Sequence, residues 1–186
     1  DQSTGKMGAT YLPYYDLFEY FIPDAKATLM IGGAAYTYPM HYLTKYSDKT
    51  IDVSEIDSKM TELAVEQFGL YLQNERLKVY HQDGRTFLNT SKNQYDCILI
   101  DAFKGANAPF ELTTYEAMTN AKNLLKDEGV VITNIISSLE GKDSEFIQHE
   151  YATYNKVFNE VKVFQVRPRE KTEIQNLILV GIKGKG

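Results

Sequence analysis

The sequence predicts an α/β protein: one open, mostly parallel seven-stranded sheet with a terminal antiparallel hairpin. Three observations predict it. Apolar runs of strand length alternate with segments of helical period along the chain. The run Cys97–Ile100 is apolar without interruption, as expected of a strand covered on both faces. The first run ends in the glycine pair Gly32-Gly33, and Glu55 stands 22 positions after Gly33, at the end of the second run. That spacing marks a ligand site beyond the carboxyl ends of the strands.

The elements follow in order. Tyr11, Tyr14, Tyr15 and Phe18 are spaced as one face of an opening helix. Ala27–Ile31 is the first strand, and Pro39 suits the first turn of a short helix reaching Lys45. Thr50–Glu55 is the second strand. Its helix is capped by Asp57 or Ser58, with Met60, Leu63, Ala64 and Phe68 inward. Leu77–His81 is the third strand, with a short helix over Arg85–Leu88, and Cys97–Ile100 is the fourth, ending at Asp101. A loop from Ala102 to Leu112 leads to a helix opened by Thr113 or Thr114, with Tyr115, Met118, Ala121 and Leu125 toward the core. Val130–Ile135 is the fifth strand, and a helix over Glu145–Val157 follows. Val161–Val166 and Asn176–Ile182 form the closing hairpin.

Composition narrows the function classes. With 186 residues and 43% hydrophobic content the chain can bury a full core. No stretch approaches the roughly 20 apolar residues of a membrane span. A net charge of -5 gives no electrostatic reason to bind nucleic acid, and Arg167, Arg169 and Lys171 read as a solvated hairpin. The single cysteine, Cys97, reads as core packing. His41, His81 and His149 lack metal-ligand spacing with respect to it. A reduced, metal-free, cytoplasmic protein is the expectation. The chain begins at Asp1 and not at a methionine, as a piece of a longer protein would, and shows no signal-peptide pattern.

The glycine turn and the acidic residues carry the functional argument. Backbone can approach a ligand closely only where side chains are small or absent. After Gly32-Gly33 come Ala34, Ala35 and Tyr36. Without a third glycine a pyrophosphate has no seat on the next helix, so an adenosyl group without phosphates fits better. Glu55, Asp83 and Asp101 stand at the ends of strands two, three and four. Glu55 either accepts the ribose hydroxyls or is a surface cap. Asp83 either accepts from an adenine amino group or caps the helix after it. Asp101 either acts as a desolvated general base or anchors a loop. Tyr14, Tyr15 and Tyr36 either line the pocket mouth or belong to the core.

Five segments, in order, resemble the spermidine synthase family: Gly32-Gly33, Asp52–Asp57, Asp83–Leu88, Tyr95–Asp101 and Leu124–Val131. The resemblance runs from residue 11 to 182 and is to the family's catalytic domain, a Rossmann-like S-adenosylmethionine-dependent methyltransferase fold. It implies an N-terminal segment with an aromatic helix over residues 1–24 and a methyltransferase-like, nucleoside-binding catalytic domain over residues 25–186. The variant it resembles most is related to transporter-fused forms, with Gly32-Gly-Ala-Ala-Tyr36 and Asp101-Ala-Phe103 as its marks. The implied chemistry belongs to polyamine biosynthesis: aminopropyl transfer from decarboxylated S-adenosylmethionine to an amine, releasing methylthioadenosine, without a metal. The implied cofactor-binding residues are Gly32, Gly33, Ala34, Glu55, Ile56, Asp83, Gly84 and Asp101, with Asp101 also the catalytic base. A homodimer is compatible with the resemblance.

The departures sharpen the expectation. Lys104 replaces the family's second aspartate after strand four, Ala35 replaces the aspartate of the glycine turn, and Asn134 replaces a glutamine after strand five. Lys104 and Asn134, together with Tyr14 and Tyr36, are the candidate substrate-pocket residues. A cation at Lys104 opposes a diamine dication, so putrescine is not the expected acceptor. Two functions stay open. One is a transferase using S-adenosylmethionine or its decarboxylated form on another small-molecule acceptor. The other is a non-catalytic nucleoside-binding or regulatory module of the same fold.

Overall fold

A computed structural model describes residues 10–101 and 109–185. Its centre is β1 (Ala27–Ile31), paired in parallel with β2 (Thr50–Ser54) on one side and β4 (Tyr95–Ile100) on the other. β3 (Leu77–Tyr80) adds outside β2, and β5 (Leu125–Ser137) adds beside β4, both in parallel. β7 (Gln175–Ile182) inserts antiparallel between β5 and β6 (Glu160–Gln165), giving the order β3-β2-β1-β4-β5-β7-β6. The terminal hairpin is therefore present, with its second strand inside and its first at the edge.

Each face of the sheet carries its own apolar cluster. Along β4, Ile98 and Ile100 enter the cluster covered by α4 (Gly84–Thr90), α5 (Tyr115–Leu124) and α6 (Glu145–Val157). Cys97 and Leu99 enter the opposite cluster, under the opening segment, α2 (Thr37–Lys45) and α3 (Ser58–Phe68). That two-sided burial is why β4 reads as an unbroken apolar run.

Three details depart from expectation. The opening segment is a 3-10 helix, Leu12–Leu17, continued by one α-turn, α1 (Phe18–Phe21). In α3 the buried line is Thr61 and Ala64, while Leu63 and Phe68 are exposed. Leu63 lies about 200° around the helix from Thr61. Past Phe68, the left-handed Gly69 (φ 72°) ends the helix and drops Leu70 into the core. In α5 the core stripe is Ala117, Met118, Ala121 and Leu124. Tyr115, the first residue after the Thr114 cap, is half exposed, and Leu125 already belongs to β5. None of the described helices is long and apolar enough to cross a membrane.

Candidate functional site

Register brings the ends of four strands to one edge. Ile31 pairs with Ser54 and Ile100, and Ser54 with Tyr80, so Gly32, Glu55, His81 and Asp101 emerge side by side. Strand order reverses between β1 and β4, and the crevice opens at such a point. A cleft of about 410 Å³ lies there, with Gly32, Gly33, Glu55, Ile56, Asp83, Gly84 and Asp101 in its wall. Its other lining residues are uncharged, so among the described residues the charges facing the cleft are three carboxylates.

The glycine turn departs from regular structure. Gly32 has φ 83°, and two residues with side chains, Ala35 (φ 52°) and Tyr36 (φ 61°), are also left-handed. Ala34 to Tyr36 form a 3-10 turn before α2 begins at Thr37, so no helix start follows the glycines directly. Gly33 is tightly enclosed: a Cβ there would lie 3.1 Å from Oε2 of Glu55. The Gly33 amide donates to that oxygen at 2.8 Å, and the Asp57 amide donates to Oε1 at 3.0 Å. Glu55 is thereby fixed at the cleft with acceptor capacity left on both oxygens.

Asp83 is the helix cap, and it also faces the cleft. Its Oδ1 accepts from the Thr86 amide at 2.9 Å and caps α4, and the same residue lines the cleft. Gly84 lies against the floor: a Cβ there would sit 2.4 Å from Cγ2 of Ile31 and 3.5 Å from Leu112. Ile56, 70% exposed, with Met60, Pro109 and Leu112, gives the cleft apolar walls suited to a flat base. Arg85 holds this side together by donating to the Glu111 carbonyl at 2.9 Å and to the Thr114 hydroxyl at 2.6 Å.

Asp101 closes the far end. The Tyr11 hydroxyl donates to its carboxylate at 3.0 Å, and Asn134 Nδ2 donates at 3.3 Å. Asn176 Nδ2 in turn donates to the Asn134 oxygen at 2.9 Å, which fixes the amide with its nitrogen toward Asp101. Burial pushes the Asp101 carboxyl above its ordinary value, and the bonds from Asn134, Tyr11 and Tyr15 hold it back. Burial and the neighbouring Asp101 push the Tyr11 hydroxyl far up, so it stays a donor. A carboxylate with a raised value, inside a cleft, has the character of a proton acceptor.

The remaining expected residues lie elsewhere. Tyr14 faces a shallow outer groove with Pro13, Leu17 and Tyr20, and Tyr11 takes the cleft position instead. Tyr36 is fully buried beneath the turn. Asn134 stands behind Asp101 without lining the cleft. Ala34 falls in the turn, and Ala35 lines the cleft. Lys104 lies outside the described residues. Among the described residues no cluster of His, Cys, Asp or Glu is arranged to hold a metal ion.

Comparison with known proteins gives the family and the fold. The sequence matches the spermine/spermidine synthase domain over residues 17–180. It is 32% identical over 153 residues to a polyamine aminopropyltransferase of Vibrio vulnificus (strain CMCP6), covering 81% of this chain and 49% of that protein. A solved spermidine synthase in complex with the transition state analogue AdoDATO superposes with a TM-score of 0.76 at 19% identity, covering 94% of this chain and 62% of that one. Human methyltransferase-like protein 13 in complex with SAH superposes with a TM-score of 0.71 at 24% identity, covering 92% and 77%. At these identities the likeness shows the fold, that of S-adenosylmethionine-dependent methyltransferases. The chain spans about half the length of the aminopropyltransferase it matches.

Proposed function

The chain belongs to the spermine/spermidine synthase family, and from that premise we propose that it is an S-adenosyl-type transferase, with S-adenosylmethionine or its decarboxylated form as donor. One observation carries the reading: Glu55, Asp83 and Asp101 line a single cleft closed by the Gly32-Gly33 turn. The residues fit the donor. Gly84 leaves no space for a side chain and Gly33 little, Glu55 has acceptors free for two ribose hydroxyls, and Ile56 and Leu112 offer apolar faces to a purine. Among the described lining residues the charged ones are carboxylates, which suit a cationic sulfonium that brings its own leaving group to the reaction. The solved relatives bind AdoDATO and SAH respectively, both consistent with such a site.

On this reading Asp101 takes the proton from the acceptor as it attacks, and Tyr11 and Asn134 orient the carboxylate. Glu55 and Asp83 hold the nucleoside end, so the reacting groups meet beside Asp101. The acceptor differs from putrescine. Lys104 follows Asp101 by three residues, and uncharged Ala35 lines the cleft at the glycine turn. Where the Lys104 ammonium faces a dicationic acceptor, the repulsion costs about 1–4 kcal/mol, depending on how far water screens it. A neutral or acidic acceptor suits the site better.

A second reading, a nucleoside-binding module without turnover, is favoured by the engagement of Asp101: Tyr11 reaches both its oxygens, at 3.0 and 3.3 Å, leaving less capacity for a substrate proton. Calorimetric titration with methylthioadenosine, S-adenosylmethionine and decarboxylated S-adenosylmethionine tests the site itself, and absence of binding by all three refutes both readings. Release of methylthioadenosine from the decarboxylated donor, and of methylthioadenosine or S-adenosylhomocysteine from S-adenosylmethionine, with neutral, acidic and diamine acceptors then separates them. Release abolished by Asp101→Asn supports the transferase, and ordinary turnover of putrescine refutes the assigned acceptor class.

A further inference from the structure

We propose that Tyr36 is a positioning residue of the adenosyl site, holding the glycine turn in its left-handed course through Thr61 and His81; this rests on the donor reading of the cleft. Left-handed backbone is unfavourable for residues that carry a Cβ, yet Ala35 (φ 52°, ψ 25°) and Tyr36 (φ 61°, ψ 12°) adopt it in succession. Such a course persists only where surrounding contacts over-determine it, and it concentrates at ligand sites.

The contacts that do so here belong to one residue. Tyr36 is fully buried, and its amide donates to the Gly33 carbonyl at 2.6 Å. Its hydroxyl shares a hydrogen bond with Thr61 Oγ1 at 2.6 Å, and Thr61 Oγ1 shares another with His81 Nε2 at 3.0 Å. Thr61 is on α3 and His81 follows β3 directly, so the chain of bonds joins the turn after β1 to the walls built after β2 and β3. The Tyr36 ring also lies 3.3 Å from the point where a Gly33 Cβ would stand, with Glu55 Oε2 at 3.1 Å on the same point. Gly33 is thus clamped between an aromatic ring and the carboxylate that receives its amide. Tyr36 lines no part of the cleft, so its effect reaches a ligand only through Gly33 and Glu55.

The variants Tyr36→Phe and Thr61→Val keep the packing and remove the hydroxyl link. In the ligand-free protein each is expected to speed hydrogen exchange of the Gly33 amide at least tenfold, with the Met30 amide in β1 unchanged. Each should also weaken methylthioadenosine binding about tenfold, the double variant no more than either single one, and Thr61→Ser should restore it. If Tyr36→Phe fails to fold, Thr61→Val decides alone. Unchanged Gly33 exchange in a folded variant overturns the proposal, as does acceleration spread equally over β1, which would mark general destabilisation. If the wild-type protein binds no adenosyl ligand, the donor reading falls, and Gly33 exchange still decides the role of Tyr36.

Discussion

Replacing Glu55 by alanine tests the nucleoside site most directly. Each of its oxygens already accepts one backbone amide, from Gly33 at 2.8 Å and from Asp57 at 3.0 Å. A carboxylate offers about four acceptor positions, so roughly one per oxygen remains, which matches the two hydroxyls of a ribose. A hydrogen bond to a charged group contributes about 1.5–3 kcal/mol. Glu55 is only partly buried, so water replaces some of the loss and the lower value applies. Two bonds then amount to about 3 kcal/mol, or about 100-fold in Kd. Glu55→Gln should fall between: its single amide oxygen can serve Gly33 or Asp57, and its NH2 must then face the other amide as a second donor. A loss of about tenfold or more is expected for it. Titration calorimetry with methylthioadenosine reads both, and an analogue lacking the 2′-hydroxyl should be markedly less sensitive to Glu55→Ala. Wild type and Glu55→Ala binding within threefold of each other would refute the assignment of this carboxylate to the ribose.

Three further outcomes are expected. Glu150 on α6 is 3% exposed, and burial pushes its carboxyl up to about 8 from the ordinary 4.5. The folded protein therefore keeps a proton that the unfolded chain releases. The stability tied to this group is full below pH 4.5 and is lost as the pH rises through 8. Glu150→Gln should match wild type near pH 4 and exceed it by on the order of a few kcal/mol near pH 9, and a pH-independent difference in urea unfolding would contradict this. Gly84→Ala forces a Cβ to within 2.4 Å of Ile31 Cγ2. Such overpacking costs about 1–3 kcal/mol, a fall in Tm of about 2–10 °C, and an unchanged melting curve would show that the floor of the cleft yields freely. Tyr11→Phe removes a donor that holds the Asp101 carboxyl down. The Asp101 titration followed by 13C NMR should move upward, and a downward move would mean that the hydroxyl does not stabilise the charged form.

Where local signals and tertiary packing agree, the elements were legible. β1 at Ala27–Ile31, the end of α2 at Lys45 and α6 at Glu145–Val157 fall where the pattern places them. The opening segment was not legible, because period decides the face. An α-helical spacing groups Tyr11, Tyr14, Tyr15 and Phe18. In the 3-10 geometry the buried line is Leu12, Tyr15 and Phe18, three residues apart, and Tyr11 and Tyr14 turn to its flank. That shift brings Tyr11 to the cleft and sends Tyr14 outward. In α3 the expected Ala64 is buried and Met60 half-buried, but Leu63 and Phe68 are exposed and the polar Thr61 is buried, so hydrophobicity alone chose only part of the stripe.

The carboxylates of the cleft were legible because a parallel sheet delivers every strand end to one edge. Partners across the fold were not. The bond from Tyr11 to Asp101 spans 90 positions and that from Asn134 spans 33, separations over which a single sequence carries no pairing signal. One such signal did exist at the turn. Glycine relieves left-handed strain at no steric cost, yet of the three left-handed residues in Gly32-Gly-Ala-Ala-Tyr36 only Gly32 is a glycine, and Ala35 and Tyr36 are the others. A turn that continues through Ala35 and Tyr36 must be held by something outside itself. A tyrosine, with a ring to bury and a hydroxyl that must find a partner, is a residue type able to supply that hold from its own side chain. The missing third glycine therefore transfers control of the turn from backbone freedom to the contacts of one buried hydroxyl.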